Sequence, residues 1–565
     1  MKFIKAFRFF SFLIVSSLLF SLNLFAQANE PASLEMKIDS IFKNFNDKNK
    51  PGATVAVVKN QEIVFKKGYG SANLEYGIPN SPSTIFHIAS VSKQFTVFSI
   101  LLLEKEGKLS FDDDIRKYIP EVPDFGKKIT LRHLASHTSG MRDQWTLLSM
   151  AGWRFDDVIT KEHILKLVSQ QKELNFNPGE SYMYCNTGFT LLAEVVARIS
   201  GKTFAEFTEE RIFKPLDMSN TLFYDDHEKI VKNRAYSYHS VNDNQYKKSV
   251  LNFANVGATS LFSTVEDLAL WSMNFSSNIV GDKDLITKMN TLAVLNNGET
   301  FGGAYGQFID TYKGLNQIQH GGADAGYRSY LGRFPDQNFA VMVFSNLAQS
   351  NPGDLALQVA NLYLKGAFEK ESNATNAPKG NIEYIKIPSK RLEDLSGHFW
   401  NEDQKYARKI YVKNDTLRYF REEGNENALV PITPKEFKMT DVNVDLRVIF
   451  SNPNEKRQMT VLINDEEPII SYEFTPPKYE ISDLKEFIGE YFSPELNTTY
   501  KAVLKDDKLT FTHARSSDFI ITAAKSDLFL FEGYSFMFER NDNNQITGFR
   551  VSAGRVQNLW FKKLH

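Results

Sequence analysis

The chain has 565 residues, 42% of them hydrophobic, with 66 basic against 68 acidic side chains and a net charge of −2. This length exceeds what one hydrophobic core usually organises, so two or three domains are expected, and the near-balanced charge argues against nucleic acid or an anionic membrane surface as the main partner. A single cysteine, Cys185, excludes an intramolecular disulfide, so stability has to come from packed cores.

The opening MKFIKAFRFFSFLIVSSLLFSLNLFAQANE combines a basic start (Lys2, Lys5, Arg8), an apolar run over 9–25 and a small-x-small site at Ala26-Gln27-Ala28. The pattern predicts a signal peptide over 1–28 and a periplasmic or secreted protein with no stable membrane span after cleavage. Cleavage would lower the basic count from 66 to 63 and leave a charge of −5.

From Ala53 onward, TVAVVKNQEIVFKKGYG predicts two strands around Lys59-Asn60-Gln61. The stretch HIASVSKQFTVFSILLLEKEG, 87–107, is apolar around most of a helical circumference and reads as a buried helix. Asp112, Asp113 and Asp114 read as a solvated turn. His133 and His137 have the i, i+4 spacing of a zinc helix, but the glutamate that would activate water is missing, so both are read as structural. A turn at Asn177-Pro178-Gly179 precedes an apolar helix that ends at Gly201. Ser263 with Glu266 reads as a capping box ahead of DLALW. YRSYLGRFPDQNFAVMVFSN predicts a hairpin turning at Pro335-Asp336, and LALQVANLYLKG a closing helix.

The composition turns polar and small at GAFEKESNATNAPKGN, and a linker is placed at 369–388. Beyond it, LEDLSGHF from Leu392 matches LKEFIGEY from Leu484. The same offset pairs Gly397 with Gly489, Asp415 with Asp507, Leu417 with Leu509 and Tyr419 with Phe511. Two copies of one small β module are expected, over 389–478 and 479–565, and are read as architectural rather than catalytic.

Four Ser-x-x-Lys pairs occur: Ser40 and Lys43, Ser90 and Lys93, Ser169 and Lys172, Ser482 and Lys485. Serine and lysine at this spacing share a helix face, but a lysine that is to act as a base has to be partly desolvated. Ser40 falls near the wet side of its helix, Ser169 lies in the polar tail SQQKE, and Ser482 stands where a helix cap would stand. Only Ser90 heads an apolar helix. There Lys93 should have a depressed pKa, and free N–H groups, Ser90's own among them, could hold an oxyanion.

Two further constellations follow, Tyr184-Cys185-Asn186 and His320-Gly321-Gly322, the latter with paired glycines that would let a substrate approach the backbone. Cys185 is read as a packing residue, since no base is assigned to it.

In this order the three motifs resemble the serine β-lactamase and penicillin-binding family, in its class C branch. That branch also holds D-alanyl-D-alanine carboxypeptidases, D-aminopeptidases and esterases. LEKEGKLSFDDDIRKYIPE, ITLRHLASHTSGM, FNPGESYMYCNTGFTLLAEVVARISGKTF, TSLFSTVEDLALW and HGGADAGYRSYLGRFPDQNFAVMVFSN extend the resemblance across the region before the linker. It implies an α/β (α+β) catalytic domain over 29–368, with an antiparallel sheet flanked by helices, followed by two small antiparallel β-barrel-like domains.

It further implies Ser90 as acylated nucleophile, Lys93 as its activating partner, the Tyr184 hydroxyl as a proton carrier, and Asn186 as the side chain that holds the lysine and the substrate amide. Gly321 and Gly322 would line the substrate site, and the N–H groups of Ser90 and Ala323 would form the oxyanion hole. The separate base roles of Lys93 and Tyr184 stay open. No metal and no organic cofactor is expected.

The departure is at the third motif, where β-lactamases and carboxypeptidases of the family usually have Lys-Thr-Gly. An ammonium suits a substrate carboxylate, whereas the His320 imidazole suits a hydrogen-bond donor or proton relay, so carboxylate-bearing β-lactams become poorer candidates. Histidine here is similar to the D-aminopeptidase and esterase members, and the D-aminopeptidase type also carries two β-barrel modules. Recognition of a free substrate amine would need an acidic group at the site, which the sequence does not identify; Asp324 is close in sequence, with no direction assigned to it.

The expected function is an exported serine hydrolase acting through an acyl-enzyme on Ser90, with D-residue amides or peptides, or esters, as substrates. A class C-type β-lactamase or D,D-peptidase is the enzymatic alternative. A non-catalytic protein that keeps the pocket to bind a ligand is the alternative from another class.

Overall fold

The computed structural model describes residues 33–564 apart from 243–244, 369–382, 404, 423, 443, 453–455 and 465–466. The expected signal peptide and most of the expected linker lie outside the described residues.

The region before the expected linker is built on a six-stranded antiparallel sheet. Its strands are β1 (Ala53–Lys59), β2 (Glu62–Tyr69), β3 (Phe308–Tyr312), β4 (Leu315–Asp324), β5 (Tyr327–Phe334) and β6 (Phe339–Ser345), arranged β3-β4-β5-β6-β1-β2. Chain ends far apart in sequence thus meet at the β1–β6 pair, where Val55 faces Val343. Both strands are apolar at nearly every position because both sheet faces are covered.

Alternation sends Ala53, Val55, Val57, Val341 and Val343 to one face, against helix α1 (Leu34–Ile41) and helix α5 (Pro352–Leu364). Ala56, Val58, Ala340, Met342 and Phe344 take the other face. There they meet the large core around α2 (Ser92–Lys105), α3 (Asn186–Ser200) and α4 (Val265–Ser277).

The predicted helix after the Asn-Pro-Gly turn ends as expected, with Gly201 in the left-handed region at φ 70°. Two caps differ from expectation. Helix α4 is capped by Thr264, whose side chain accepts from the Asp267 N–H, one residue beyond the predicted pair. Ser482 lies inside the short helix Ile481–Leu484, which Glu480 caps together with Asp483.

After this sheet and its helices come an eight-stranded closed antiparallel barrel, from Gly397–Asn401 to Ile469–Phe474, and a nine-stranded antiparallel sheet that nearly closes. The sequence repeat corresponds to structure. Gly397 and Gly489 each open the first strand of their module. Asn414-Asp415 and Asp506-Asp507 have φ of 51° and 53°, and 49° and 58°, the both-positive pattern of a tight two-residue hairpin turn. Leu417 and Leu509, Tyr419 and Phe511, are buried at matching places.

The two modules relate differently to the rest. The first has its own core around Phe399, Leu417, Phe437 and Phe450. The aromatic core of the second, including Tyr491, Phe511 and Phe549, is continuous with the large core around α2, α3 and α4. Its final hairpin, β7 (Ile546–Ala553) and β8 (Val556–Lys563), turns at Gly554-Arg555.

Candidate functional site

Ser90 lies in a 3-10 turn, Ala89–Val91, immediately before α2 rather than within it. Ala89 has φ 47°, a left-handed conformation that a residue with a Cβ adopts only when its surroundings impose it. They do so here through three bonds. The Ser329 hydroxyl donates to the Ile88 carbonyl at 2.7 Å, the Ser92 hydroxyl donates to the Ala89 carbonyl, and the Ala89 N–H reaches His87 Nδ1 at 3.2 Å. The turn is thereby tied to β5, and Ser90 is left partly open to the cleft.

Lys93, one helical turn on, is fully buried. Its Nζ donates to Ser90 Oγ at 3.1 Å, to Asn186 Oδ1 at 2.8 Å and to the Ala258 carbonyl at 2.7 Å. Burial lowers its pKa from the ordinary lysine range to about 7, partly opposed by the carboxylates of Asp324 and Asp143. Two of the three acceptors have no proton to give, so the lone pair of a neutral amine is left to face the hydroxyl of Ser90. The other Ser-x-x-Lys pairs are exposed at both residues.

Asn186 starts α3. Its N–H and its Nδ2 both donate to Asp143 Oδ2, at 2.7 and 2.8 Å. A carboxylate at a helix N-terminus is stabilised by the exposed amides there. With Oδ1 given to Lys93 and Nδ2 to Asp143, Asn186 positions the lysine and has its amide nitrogen engaged by protein.

Tyr184 stacks on His137, ring centroids 4.2 Å apart and planes at 28°. The Lys93 ammonium stands 4.9 Å from the centre of the Tyr184 ring. Burial raises the pKa of the Tyr184 hydroxyl, partly offset by a hydrogen bond with Ser90, so it remains a protonated phenol. His137 is held by the Cys185 N–H, which donates to its Nδ1 at 3.0 Å. Cys185 is buried, and burial pushes its thiol up to about 12, which makes it inert at neutral pH.

His320, on β4, is 3% exposed. Burial, reinforced by Lys93, lowers its pKa to about 3, so it is neutral. Its Nδ1 lies 2.6 Å from the Gly321 carbonyl, a contact that requires the proton on Nδ1. Nε2 is then an acceptor, and it is buried without a partner. The imidazole is therefore presented as a base or acceptor, where the sequence suggested a donor or relay.

The paired glycines separate by role. A Cβ on Gly322 would come within 2.4 Å of the Ile88 carbonyl oxygen, so only glycine lets β4 lie against the Ser90 turn. A Cβ on Gly321 would meet nothing nearer than 3.8 Å, which leaves room beside it. Ala323 follows, exposed, and Asp324 ends the strand with its carboxylate hydrogen-bonded by Thr259 and raised in pKa by burial.

Sequence reasoning missed four contributors: Asp143, the Ala258 carbonyl, His137 as a support for Tyr184, and Arg555. The first three carry no motif, although His137 lies in the recognised ITLRHLASHTSGM. Arg555 comes from the second β module, which was read as architectural. Its guanidinium lies 4.7 Å from the centre of the Tyr184 ring. Among the described residues no group of three or more His, Cys, Asp or Glu side chains could hold a metal ion, and no helix is long and apolar enough to cross a membrane.

A Ser-x-x-Lys pair with a buried lysine at the head of a core helix, with Tyr-x-Asn at the start of a second and an antiparallel sheet beside it, is the architecture of the penicillin-binding and β-lactamase-like fold. The Beta-lactamase family model matches residues 38–363, more than half of the chain, and the chain belongs to that family.

A D-aminopeptidase of Gluconobacter oxydans (strain 621H) is 26% identical over 297 residues, 52% of this chain and 56% of that protein. Penicillin-binding protein 4* of Bacillus subtilis (strain 168) is 27% identical over 339 residues, covering 57% of this chain and 73% of its own. The match to the Gluconobacter relative thus spans little more than half of that protein's length.

Among solved structures, a penicillin-binding protein homologue from Pyrococcus abyssi aligns with TM-score 0.55 and 24% identity over 78% of this chain and all of its own. The D-amino acid amidase of Ochrobactrum anthropi SV3 aligns with TM-score 0.52 and 21% identity over 60% of this chain and all of its own. Both similarities concern the fold.

Proposed function

We propose that the chain is an exported serine hydrolase that cleaves amide bonds of D-amino-acid amides or short D-peptides through an ester on Ser90. The observation that carries this reading is the contact of Lys93 Nζ with Ser90 Oγ at 3.1 Å, made by a fully buried lysine whose pKa is lowered to about 7. The similarity to D-aminopeptidases supports the substrate class.

Burial moves the two candidate bases in opposite directions. It favours the neutral amine of Lys93 and the protonated phenol of Tyr184. The amine accepts the Ser90 proton as Oγ attacks the scissile carbonyl carbon. The oxyanion that forms is held by the N–H groups of Ser90 and Ala323. Collapse breaks the C–N bond, and the leaving amine takes a proton through the Tyr184 hydroxyl, which is replenished from Lys93. Water then adds to the ester by the same route in reverse, and the acid product and free Ser90 are released.

Intact-protein mass spectrometry after treatment with a fluorophosphonate and with penicillin tests the nucleophile. A mass adduct that Ser90→Ala abolishes supports the reading, and a folded protein that gives none with either reagent overturns it. A D-alanine anilide, a short-chain nitrophenyl ester and a chromogenic cephalosporin, assayed in parallel, decide the substrate class. Turnover of the anilide is expected to exceed that of the cephalosporin.

A further inference from the structure

The Gly554-Arg555 turn of the last hairpin is anchored beside the site by its backbone. The Arg555 carbonyl accepts from Asn175 Nδ2 at 3.0 Å and from the Asp143 N–H at 3.3 Å, the same Asp143 that holds Asn186. The next residue but one is held as firmly. The Gln557 carbonyl accepts from Arg142 Nη2 at 2.9 Å, and the Gln557 N–H donates to Asn175 Oδ1 at 2.8 Å. Gly554, at φ 50°, lets the chain reverse within two residues. A module that is otherwise remote in sequence is therefore built to deliver one side chain to the Tyr184 ring.

That side chain is 44% exposed, and its ion pair with Asp143 is long, 3.9 Å, to an oxygen that already accepts two hydrogen bonds from Asn186. The guanidinium lies over the Tyr184 ring, and most of its five N–H groups are left for something else. The same ring stands 4.9 Å from Lys93 Nζ, which donates to Ser90 Oγ at 3.1 Å, so Tyr184 lies between the guanidinium and the Ser90–Lys93 pair. His320 is neutral and Lys93 is fully buried, whereas Arg555 is a solvent-exposed cation beside the Tyr184 ring.

We infer that Arg555 is a specificity-determining residue that binds a carboxylate, or another planar oxyanion, carried by the substrate close to its scissile carbonyl. This rests on the hydrolase reading above and deepens it. The charge that the third motif lacks is supplied by the C-terminal module, and among the short D-peptides of that reading those with a free C-terminal carboxylate bind more tightly than their C-terminal amides. A planar guanidinium recognises such a group through two parallel hydrogen bonds.

Calorimetric binding to the full-length Ser90→Ala protein tests this without turnover, using N-acetyl-D-alanyl-D-alanine and its C-terminal amide. Neither probe has a free amine, so the pair isolates the carboxylate. The acid is expected to bind about tenfold tighter than the amide. In the Ser90→Ala background, Arg555→Gln should bring the ratio close to one, and Arg555→Lys should restore part of it. Equal binding of acid and amide to Ser90→Ala, binding of neither, or a preference that survives Arg555→Gln overturns the inference. Fluorophosphonate labelling of the wild-type protein reports on Ser90 independently, so a failure here and a failure of the hydrolase reading are told apart.

Discussion

Arg142 of the β-lactamase-like domain and Glu495 of the second β module form an ion pair at 2.6 Å with side chains 0% and 3% exposed. Arg142 also donates to the Gln557 carbonyl, and Glu495 Oε2 accepts from the Lys172 N–H at 2.8 Å. Charge that is buried at a domain boundary is tolerable only while both partners are present. The pair sits one residue from Asp143, so module docking and the Lys93 hydrogen-bond network share a segment of chain.

Glu495→Ala leaves the Arg142 guanidinium buried with much of its compensation removed, and the loss should be about 3–5 kcal/mol. Urea denaturation of the full chain measures it. A change below about 0.5 kcal/mol, the range of an ordinary surface substitution, would show that the boundary is held by its apolar contacts alone.

The pH profile follows from Lys93. Its competent form is the neutral amine, whose fraction increases with pH, so kcat/KM for a neutral ester should rise through about 7 and level off above it. Lys93→Met should remove this limb together with about 10²–10⁴ of the rate. The same shift bears on stability. Between about 7 and the ordinary lysine value the unfolded chain binds more protons than the native one, so stability increases with pH across that window. A wild-type rate that falls as pH is raised through 7 would remove Lys93 from the base role.

His320 offers an unpartnered Nε2 acceptor, which a glutamine amide oxygen can imitate and leucine cannot. His320→Leu should lower kcat by about 10²-fold, a typical share for one group in proton transfer, with His320→Gln keeping part of the difference. Equal losses in the two variants would mean that the ring serves only to fill space.

The glycine pair gives an internal comparison. Gly322→Ala forces a Cβ against the Ile88 carbonyl and the Ser329 hydroxyl and should cost about 1–3 kcal/mol. Displacing β4 from the Ser90 turn should also lower kcat/KM by about 10²-fold. Gly321→Ala meets only ordinary contact and should leave the melting temperature close to wild type. Similar destabilisation by both would contradict the tight approach of β4 to the turn.

The sequence by itself was enough for elements whose signal is local. The apolar circumference of Ser92–Lys105, the Gly201 stop and the Pro335 hairpin are each set by side-chain period and turn chemistry within a few residues. The internal repeat was legible for the same reason, since Gly397 and Gly489 open matching strands. Desolvation could be read as well, because a lysine in the first turn of such a helix has nowhere wet to go. Caps were less secure. Ser263 and Ser482 both have the right chemistry, but neighbouring residues, Thr264 and Glu480, occupy the capping geometry.

What only the tertiary structure decided was which distant groups complete the site. Ala258 contributes a backbone carbonyl, which every residue has and no motif marks. Asp143 acts on Asn186 across 43 positions, and Arg555 reaches Tyr184 from the last hairpin of a module that looked architectural. Contacts of this kind depend on how separate cores pack together, and packing is an outcome of the whole chain. The motifs therefore announced where acyl chemistry could occur, while the fold determined which charges surround it.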